Sequence, residues 1–152
     1  MSKYLFFCLI FFSCMSSALA QQVKVSSAIE RDSIWLGDQI KMILVAEYPV
    51  GTTISFPQLP DSLGNGVEVI SRSAKDSSKL GDGILQMRQS YLITAFDSGP
   101  HPIKPFKFVG RTKISHDTIR SNSLVLFVKV PPVDLKKGFA DIKKPYGGTG
   151  DL

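Results

Sequence analysis

The stretch LQMRQSYLITAFDSGPHPIKPFKF, residues 85–108, decides the fold that the sequence predicts. Its first half places apolar residues on both parities, which is typical of a strand inside a sheet. Residues 97–100 (DSGP) then interrupt the run with turn-forming residues, and Ile103, Phe106 and Phe108 resume the apolar pattern. We therefore expect two strands, joined by a Gly/Pro corner, at the centre of an antiparallel sheet.

Other segments repeat the strand pattern on either side. Residues 39–48 (QIKMILVAEY) alternate Ile40, Met42, Leu44 and Ala46 with a mixed face, and residues 123–130 (SLVLFVKV) form the last strand. Shorter runs are predicted at 23–29, 52–56 and 67–73, whereas residues 74–83 are expected to be a polar connection that ends in the turn pair Asp82-Gly83. About seven short strands without a helical period predict an all-β fold, an immunoglobulin-like antiparallel β-sandwich.

The first 20 residues have the pattern of a cleaved secretory signal peptide. Lys3 precedes an apolar run at residues 4–13, and Ala18-Leu19-Ala20 provides a cleavage site before Gln21. A membrane anchor is the alternative, but the run is shorter than the roughly 20 residues that span a bilayer. Lipidation at Cys14 is a second alternative. We expect an exported, periplasmic protein.

Removal of 20 of the 152 residues leaves 132, a length that suits one domain. We expect residues 21–132 to form the sandwich and residues 133–152, which are rich in charge, proline and glycine, to form a flexible tail or a juxtamembrane linker. Both cysteines, Cys8 and Cys14, fall in the signal. The mature chain is therefore expected to have no disulfide and to depend on its core for stability.

The composition argues against most kinds of catalytic and cofactor sites. The net charge is +5, with lysines and arginines scattered along the sequence, so nucleic-acid binding is not expected. The histidines, His101 and His116, are read as exposed loop residues. The sequence has no zinc-ligand pattern, calcium loop or phosphate loop. We predict no catalytic residues, no metal, no cofactor and no enzymatic activity.

Four residues are candidate partner contacts. Trp35, which follows a turn, is either a partly buried anchor or an exposed contact residue. The segment from Pro100 to Phe108 is either a structural strand and corner or a binding edge that presents Ile103, Phe106 and Phe108, because prolines limit pairing between sheet edges.

Three triplets with the pattern Asp-Ser/Thr-apolar begin at Asp32, Asp61 and Asp117. Each resembles the acceptor of O-glycosylation in exported Bacteroidetes proteins.

Several segments, taken in order, carry a family resemblance. They are DSI at 32–34, LGDQI at 36–40, FP at 56–57, LPD at 59–61, GVEVI at 66–70, YLIT at 91–94, FDSG at 96–99, RSNSL at 120–124 and DIKKPY at 141–146. With them, residues 23–146 resemble the first extracytoplasmic domain of BatD-type proteins, the aerotolerance family of Bacteroidetes.

The resemblance implies an immunoglobulin-like domain on the periplasmic side of an envelope complex. It implies envelope proteins as partners, including products of an operon that encodes a MoxR-type ATPase and von Willebrand factor A proteins, and it implies no active site. Family members continue into a transmembrane helix after the Pro-Tyr segment, so membrane association is expected only if such an anchor is missing from this chain.

The function expected from the sequence is a non-enzymatic, exported interaction domain. The alternative is a small carbohydrate-binding or other ligand-binding β-sandwich module, which would need exposed aromatics among Trp35, Tyr48, Tyr91 and Tyr146. An enzyme is a third hypothesis. It would need a pocket that joins His101 or His116 to a carboxylate and a hydroxyl.

Overall fold

The structure, a computed structural model, describes residues 22–132. This part of the chain is all-β and contains no helix, so the predicted fold class is confirmed at that level. None of its residues belongs to an apolar helix long enough to cross a membrane. The strands are β1 (Lys24–Ile29), β2 (Ser33–Trp35), β3 (Gln39–Pro49), β4 (Thr53–Ser55), β5 (Ser62–Gly64), β6 (Val67–Arg72), β7 (Asp76–Gly81), β8 (Ile84–Ala95), β9 (Gly99–Ile103), β10 (Lys107–Arg111), β11 (His116–Arg120) and β12 (Leu124–Lys129).

The largest sheet has the order β1-β3-β8-β6-β5, with β7 also paired to β8. Its centre is the long antiparallel ladder between β3 and β8, which runs from the Gln39–Thr94 pair to the Pro49–Ile84 pair. The even-numbered apolar residues of β3 are fully buried, as their alternation predicted, because successive side chains of a strand point to opposite faces.

Strands β6 and β7 lie end to end along one side of β8. Ser73 continues the pairing between them, since its N–H donates to the Ser90 carbonyl at 2.8 Å and its hydroxyl accepts from the Ser90 N–H at 3.0 Å. The predicted polar connection is therefore wrong for β7. All six residues of β7 are exposed, so they leave no hydrophobic period, and the strand is defined by its main-chain pairing with β8.

The other two sheets have the orders β2-β12-β9 and β11-β10-β4. They share one long hairpin. Ile103 pairs with Leu124 in one sheet, and Lys107 pairs with Arg120 in the other. The two pairs are four residues apart on each strand, so the pairing register continues unbroken from one sheet to the other. Pro105 interrupts the ladder because it lacks an N–H. The Ser121 hydroxyl accepts the Phe106 N–H there at 3.0 Å.

The predicted relation between the two central strands is wrong. Strand β8 pairs with β3, β6 and β7, whereas β9 pairs with β12 in a different sheet. The corner therefore carries the chain from one sheet to another. Gly99 has a φ of 112°, which a residue with a side chain rarely adopts, and this allows the change of direction.

Buried side chains from all three sheets form one hydrophobic cluster. At its centre the Phe108 ring, which is fully buried, meets the Phe56 ring edge-on with 4.9 Å between centroids. Such aromatic contacts stabilise beyond the area they bury.

Asn122 links β1 to the segment between β11 and β12. Its amide oxygen accepts the Ser27 N–H at 2.9 Å, and its amide nitrogen donates to the Ser27 carbonyl at 2.9 Å. The side chain thus replaces a neighbouring strand for the outer edge of β1.

Several predictions lie outside the described residues. They are the signal peptide at 1–20, lipidation at Cys14, the tail at 133–152 and the part of the family resemblance at 141–146.

Candidate partner-binding surface

Three of the four predicted contact residues lie in the core. Ile103 is 2% exposed, Phe106 7% and Phe108 0%. This corrects the prediction of a binding edge, because a partner cannot contact side chains that are enclosed by the protein. The physical reason is the break at Pro105, which shifts the alternation by one residue, so that Ile103 and Phe106 both face inward.

Trp35 is 47% exposed and remains a candidate contact. It ends β2, which pairs in parallel with β12 so that Trp35 lies opposite Lys129. A tight turn follows: the Asp38 N–H donates to the Trp35 carbonyl at 3.0 Å, and an Asp38 carboxylate oxygen accepts the Trp35 N–H at 3.2 Å. Gly37, with φ of 81°, permits this turn. The tryptophan backbone is therefore fixed while its side chain stays accessible.

Other exposed apolar residues share the face of Trp35. Phe127 is 48% exposed and Val125 41%, and both point away from the core because Leu126 and Val128 point into it. Pro100 and Pro102 are exposed and lie directly opposite Phe127 and Val125. We call this set of five residues the apolar half of the outer face.

Sequence reasoning missed Phe127, although a signal existed. The strand SLVLFVKV has apolar residues on both parities. In a strand with one face on the core, the second apolar face must lie on another surface or in solvent. Here it is in solvent.

The two prolines do not weaken the β9–β12 ladder. The Phe127 N–H donates to the Asp32 carbonyl at 2.7 Å, on the side of β2, so the Pro100–Phe127 pair is one of those that do not exchange ladder hydrogen bonds. Both prolines therefore place their missing N–H at the outer edge of β9. That edge cannot take a further strand there, which leaves the face itself as the accessible surface.

An open pocket of about 400 Å³ lies on the apolar half. It is lined by Asp32, Ser33, Gly99, Pro100, Phe127, Val128 and Lys129. Its walls combine an aromatic ring and a proline with one carboxylate and one ammonium group. Such a surface suits an apolar side chain flanked by polar groups.

The two histidines occupy different environments. His116 is exposed, as predicted, but it begins strand β11 instead of lying in a loop. His101 is 6% exposed, so its prediction as an exposed residue is wrong. One ring nitrogen, Nε2, lies 2.7 Å from the Asp97 carbonyl oxygen, and Nδ1 contacts the Asn65 carbonyl oxygen. This imidazole therefore joins the β5–β6 turn to the corner after β8.

Within residues 22–132, no group of three or more His, Cys, Asp or Glu side chains is arranged to hold a metal ion. Burial raises the pKa of the Tyr91 hydroxyl, an effect that the nearby Arg72 partly offsets. That hydroxyl donates to the Gln89 side-chain oxygen at 2.9 Å.

The aromatic residues proposed for sugar binding divide sharply by exposure. Tyr48 is 5% exposed and Tyr91 2%, whereas Trp35 is accessible, and Tyr146 lies outside the described residues. Phe127 supplies a second ring on the face of Trp35. It lies two residues before Lys129, the direct cross-strand partner of Trp35.

A scan of the chain against protein-family models finds no matching family, and a search of curated proteins finds no relative.

Proposed function

We propose that this protein is a non-enzymatic, exported interaction domain of the BatD type that binds an envelope protein through the apolar half of its outer face. The observation that carries the proposal is the grouping of Trp35, Phe127 and Val125, all more than 40% exposed, beside two exposed prolines. Contiguous exposed apolar patches on soluble proteins commonly mark interaction sites.

The strand pairing supports an immunoglobulin-like sandwich as the scaffold. If β6 with β7, β9 with β10, and β11 with β12 each count as one interrupted strand, the first sheet has the order β1-β3-β8-β6/β7 and the second has β4-β9/β10-β11/β12. This reproduces the ABED and CFG order of immunoglobulin domains. Strand β2 is then an addition beside the last strand, and β5 an addition beside β6.

The size of the aromatic side chains makes Trp35 and Phe127 the expected anchors. Aromatic residues bury about 150–250 Å² each when fully covered, and roughly half of each is available on this face. Tryptophan is enriched among residues whose truncation costs about 2 kcal/mol or more of binding free energy. Such a loss corresponds to a roughly 30-fold weaker complex.

The proposal is tested with the partners that the family resemblance implies, a MoxR-type ATPase and von Willebrand factor A proteins first. Binding by each partner is measured with wild type, Trp35→Ala and Phe127→Ala. Ile70→Ala is the matched control, since Ile70 is also 47% exposed but lies on β6 of the other sheet. We expect a loss of at least about tenfold for the first two variants. Equal binding by all four proteins would reject this surface.

Export is tested separately. Mass spectrometry of the protein recovered from the periplasm is expected to give an N-terminus at Gln21. Retention of residues 1–20 in the recovered protein would contradict the proposed processing.

The second candidate function is carbohydrate binding, because Trp35 and Phe127 provide two exposed rings on one sheet face. A glycan array distinguishes the two functions. Binding to a neutral glycan that is lost with Trp35→Ala would favour the carbohydrate module over the protein-binding domain.

A further inference from the structure

Charge is unevenly distributed between the long hairpin and the rest of the described chain. The hairpin, residues 99–129, carries six basic residues, Lys104, Lys107, Arg111, Lys113, Arg120 and Lys129, and one acidic residue, Asp117, a net charge of +5. Elsewhere within 22–132 the chain has seven basic and nine acidic residues, a net charge of −2. The scattered appearance of the lysines and arginines in the sequence therefore conceals a basic element in the fold.

The basic side chains of β10 and β11 point away from the core. Phe108 and Gly110 are buried, so Lys107 and Arg111 lie on the opposite face of β10. Their cross-strand partners are Arg120 and His116, which are also exposed. We call Lys107, Arg111 and Arg120 the basic half of the outer face, next to the apolar half along the same hairpin.

The basic half has no internal charge compensation. The one salt bridge among residues 22–132 joins Arg72 to Asp61, away from this hairpin. Lys107 and Arg120 are direct cross-strand partners, and like charges in that position destabilise a sheet. Asp117, the acidic residue of the ladder, lies opposite Gly110 on the other face of β10 and β11. A like-charge pair that costs stability and has no acidic side chain on its own face of the ladder indicates a function outside the fold.

We infer that the basic half binds an acidic segment of the partner protein, next to the apolar anchor that occupies the Trp35 and Phe127 surface. This inference rests on the proposed function and specifies the chemistry of the partner: a polypeptide with aspartates or glutamates beside aromatic or aliphatic residues. Arginine binds carboxylates with two parallel hydrogen bonds, which gives geometric specificity as well as charge attraction.

The distribution of side chains favours a polypeptide over other polyanions. Single-stranded nucleic acid needs aromatic rings interleaved with the cations. Besides His116, the side chains around Lys107 and Arg111 on this face are the half-buried Val109 and the exposed Thr53, Ser55 and Thr118, none of which is aromatic. Both rings lie on the apolar half. Trp35 and Phe127 are about half buried in the sheet face, whereas insertion into a bilayer needs apolar side chains that project from the surface.

The test begins with selection of a random peptide library on the purified wild-type protein. The dissociation constants of the recovered peptides are then measured for wild type, Lys107→Glu, Trp35→Ala and the control Lys41→Glu. Lys41 is an exposed residue of β3 on the other sheet, so its variant makes the same charge change elsewhere. We expect peptides enriched in Asp and Glu, binding weakened about tenfold or more by Lys107→Glu, and little change with Lys41→Glu.

A stability measurement separates loss of binding from loss of folding. Lys107→Glu replaces a like-charge cross-strand pair with an opposite-charge pair. We therefore expect this variant to have a higher melting temperature than wild type even though it binds acidic peptides more weakly. A lowered melting temperature together with weaker binding would overturn the argument, since the binding loss would then reflect damage to the sheet.

The remaining outcomes distinguish the inference from the proposed function. Peptides that need Trp35 but bind Lys107→Glu normally would overturn the acidic-partner inference and leave the proposed surface intact. Peptides that need Lys107 but not Trp35 would support the inference and reject the apolar half as the anchor. Recovery of no peptides would overturn the inference. Binding of phosphatidylglycerol vesicles or single-stranded DNA that depends on Lys107, without peptide binding, would also overturn it.

Discussion

Replacement of Asn122 by alanine is expected to open the edge of the fold between β1 and the hairpin. The substitution removes two hydrogen bonds of 2.9 Å, one from the Ser27 N–H and one to the Ser27 carbonyl. Ser27 is 5% exposed, so both backbone groups lose their partner in a largely dry environment. An unsatisfied buried group costs about 1–3 kcal/mol. The Asn122 side chain borders solvent, which allows some hydration, so we expect a loss of about 2–4 kcal/mol.

Urea unfolding of the purified chain measures this loss as a shift in midpoint at constant slope. Two controls separate the contributions. Asn122→Asp retains an acceptor for the Ser27 N–H but cannot donate to the Ser27 carbonyl, so its loss should be substantial but incomplete. Ser27→Ala keeps both backbone bonds and removes only the contacts of the hydroxyl, which donates to the Asn122 carbonyl at 3.0 Å and, more weakly, to the Asn122 amide oxygen at 3.4 Å; we expect a loss of about 1 kcal/mol. A loss below about 0.5 kcal/mol for Asn122→Ala would refute the reasoning.

Three further predictions concern the core and its borders. At Gly66, which has a φ of 77°, an added Cβ would lie 3.1–3.2 Å from the His101 ring and the Asp97 carboxylate. The control Gly64→Ala has a similar φ of 82°, but an added Cβ there meets no atom within 4 Å. Gly66→Ala should therefore cost about 1–3 kcal/mol and more than its control, and equal losses in denaturant would contradict the contact. Burial raises the pKa of Tyr91 above its ordinary value of 10.0. The tyrosine therefore ionises first in the unfolded chain, and the free energy of unfolding should fall as the pH rises above that value. Tyr91→Phe should have a shallower alkaline decline in stability, and a decline equal to that of wild type would contradict a contribution from Tyr91. Phe108→Ala should lower the free energy of unfolding by about 3–5 kcal/mol, measured by calorimetry, because it leaves a cavity beside Phe56. The control Phe96→Ala, at a residue 59% exposed, should lose little stability. Similar losses for the two variants would mean that Phe108 does not anchor the core.

The sequence predicted those strands in which apolar residues alternate with polar ones, since this alternation indicates the buried face. The alternation in residues 39–48 identified β3 and its buried face, and the pair Asp82-Gly83, with φ values of 48° and 74°, identified the tight turn that leads into β8. Both features are local, so a single chain contains all the information needed.

Features that depend on pairing partners could not be predicted in this way. Strand β7 forms because β8 offers unpaired main-chain groups, and its exposed polar side chains leave no periodic pattern. Asn122 is a polar residue among serines in the sequence, and only the position of Ser27, 95 residues away, explains its role. His101 is a polar residue between two prolines whose burial depends on carbonyl groups from the turn and the corner.

The candidate site illustrates how one local irregularity controls the distribution of side chains over a surface. A regular strand from Pro100 to Phe108 would place Ile103 and Phe106 on opposite faces, so one of them would be exposed. The break at Pro105 inserts one residue between β9 and β10, and the matching break at Ser121 inserts one between β11 and β12. Because both strands gain one residue, the pairing register is unchanged, but the inward and outward alternation shifts by one residue on each strand. As a result both apolar residues face the core, and Lys107 and Arg120 face solvent together. The shift that invalidates the predicted binding edge therefore also creates the basic half, and any substitution that restored a regular ladder there would be expected to turn its cations toward the core.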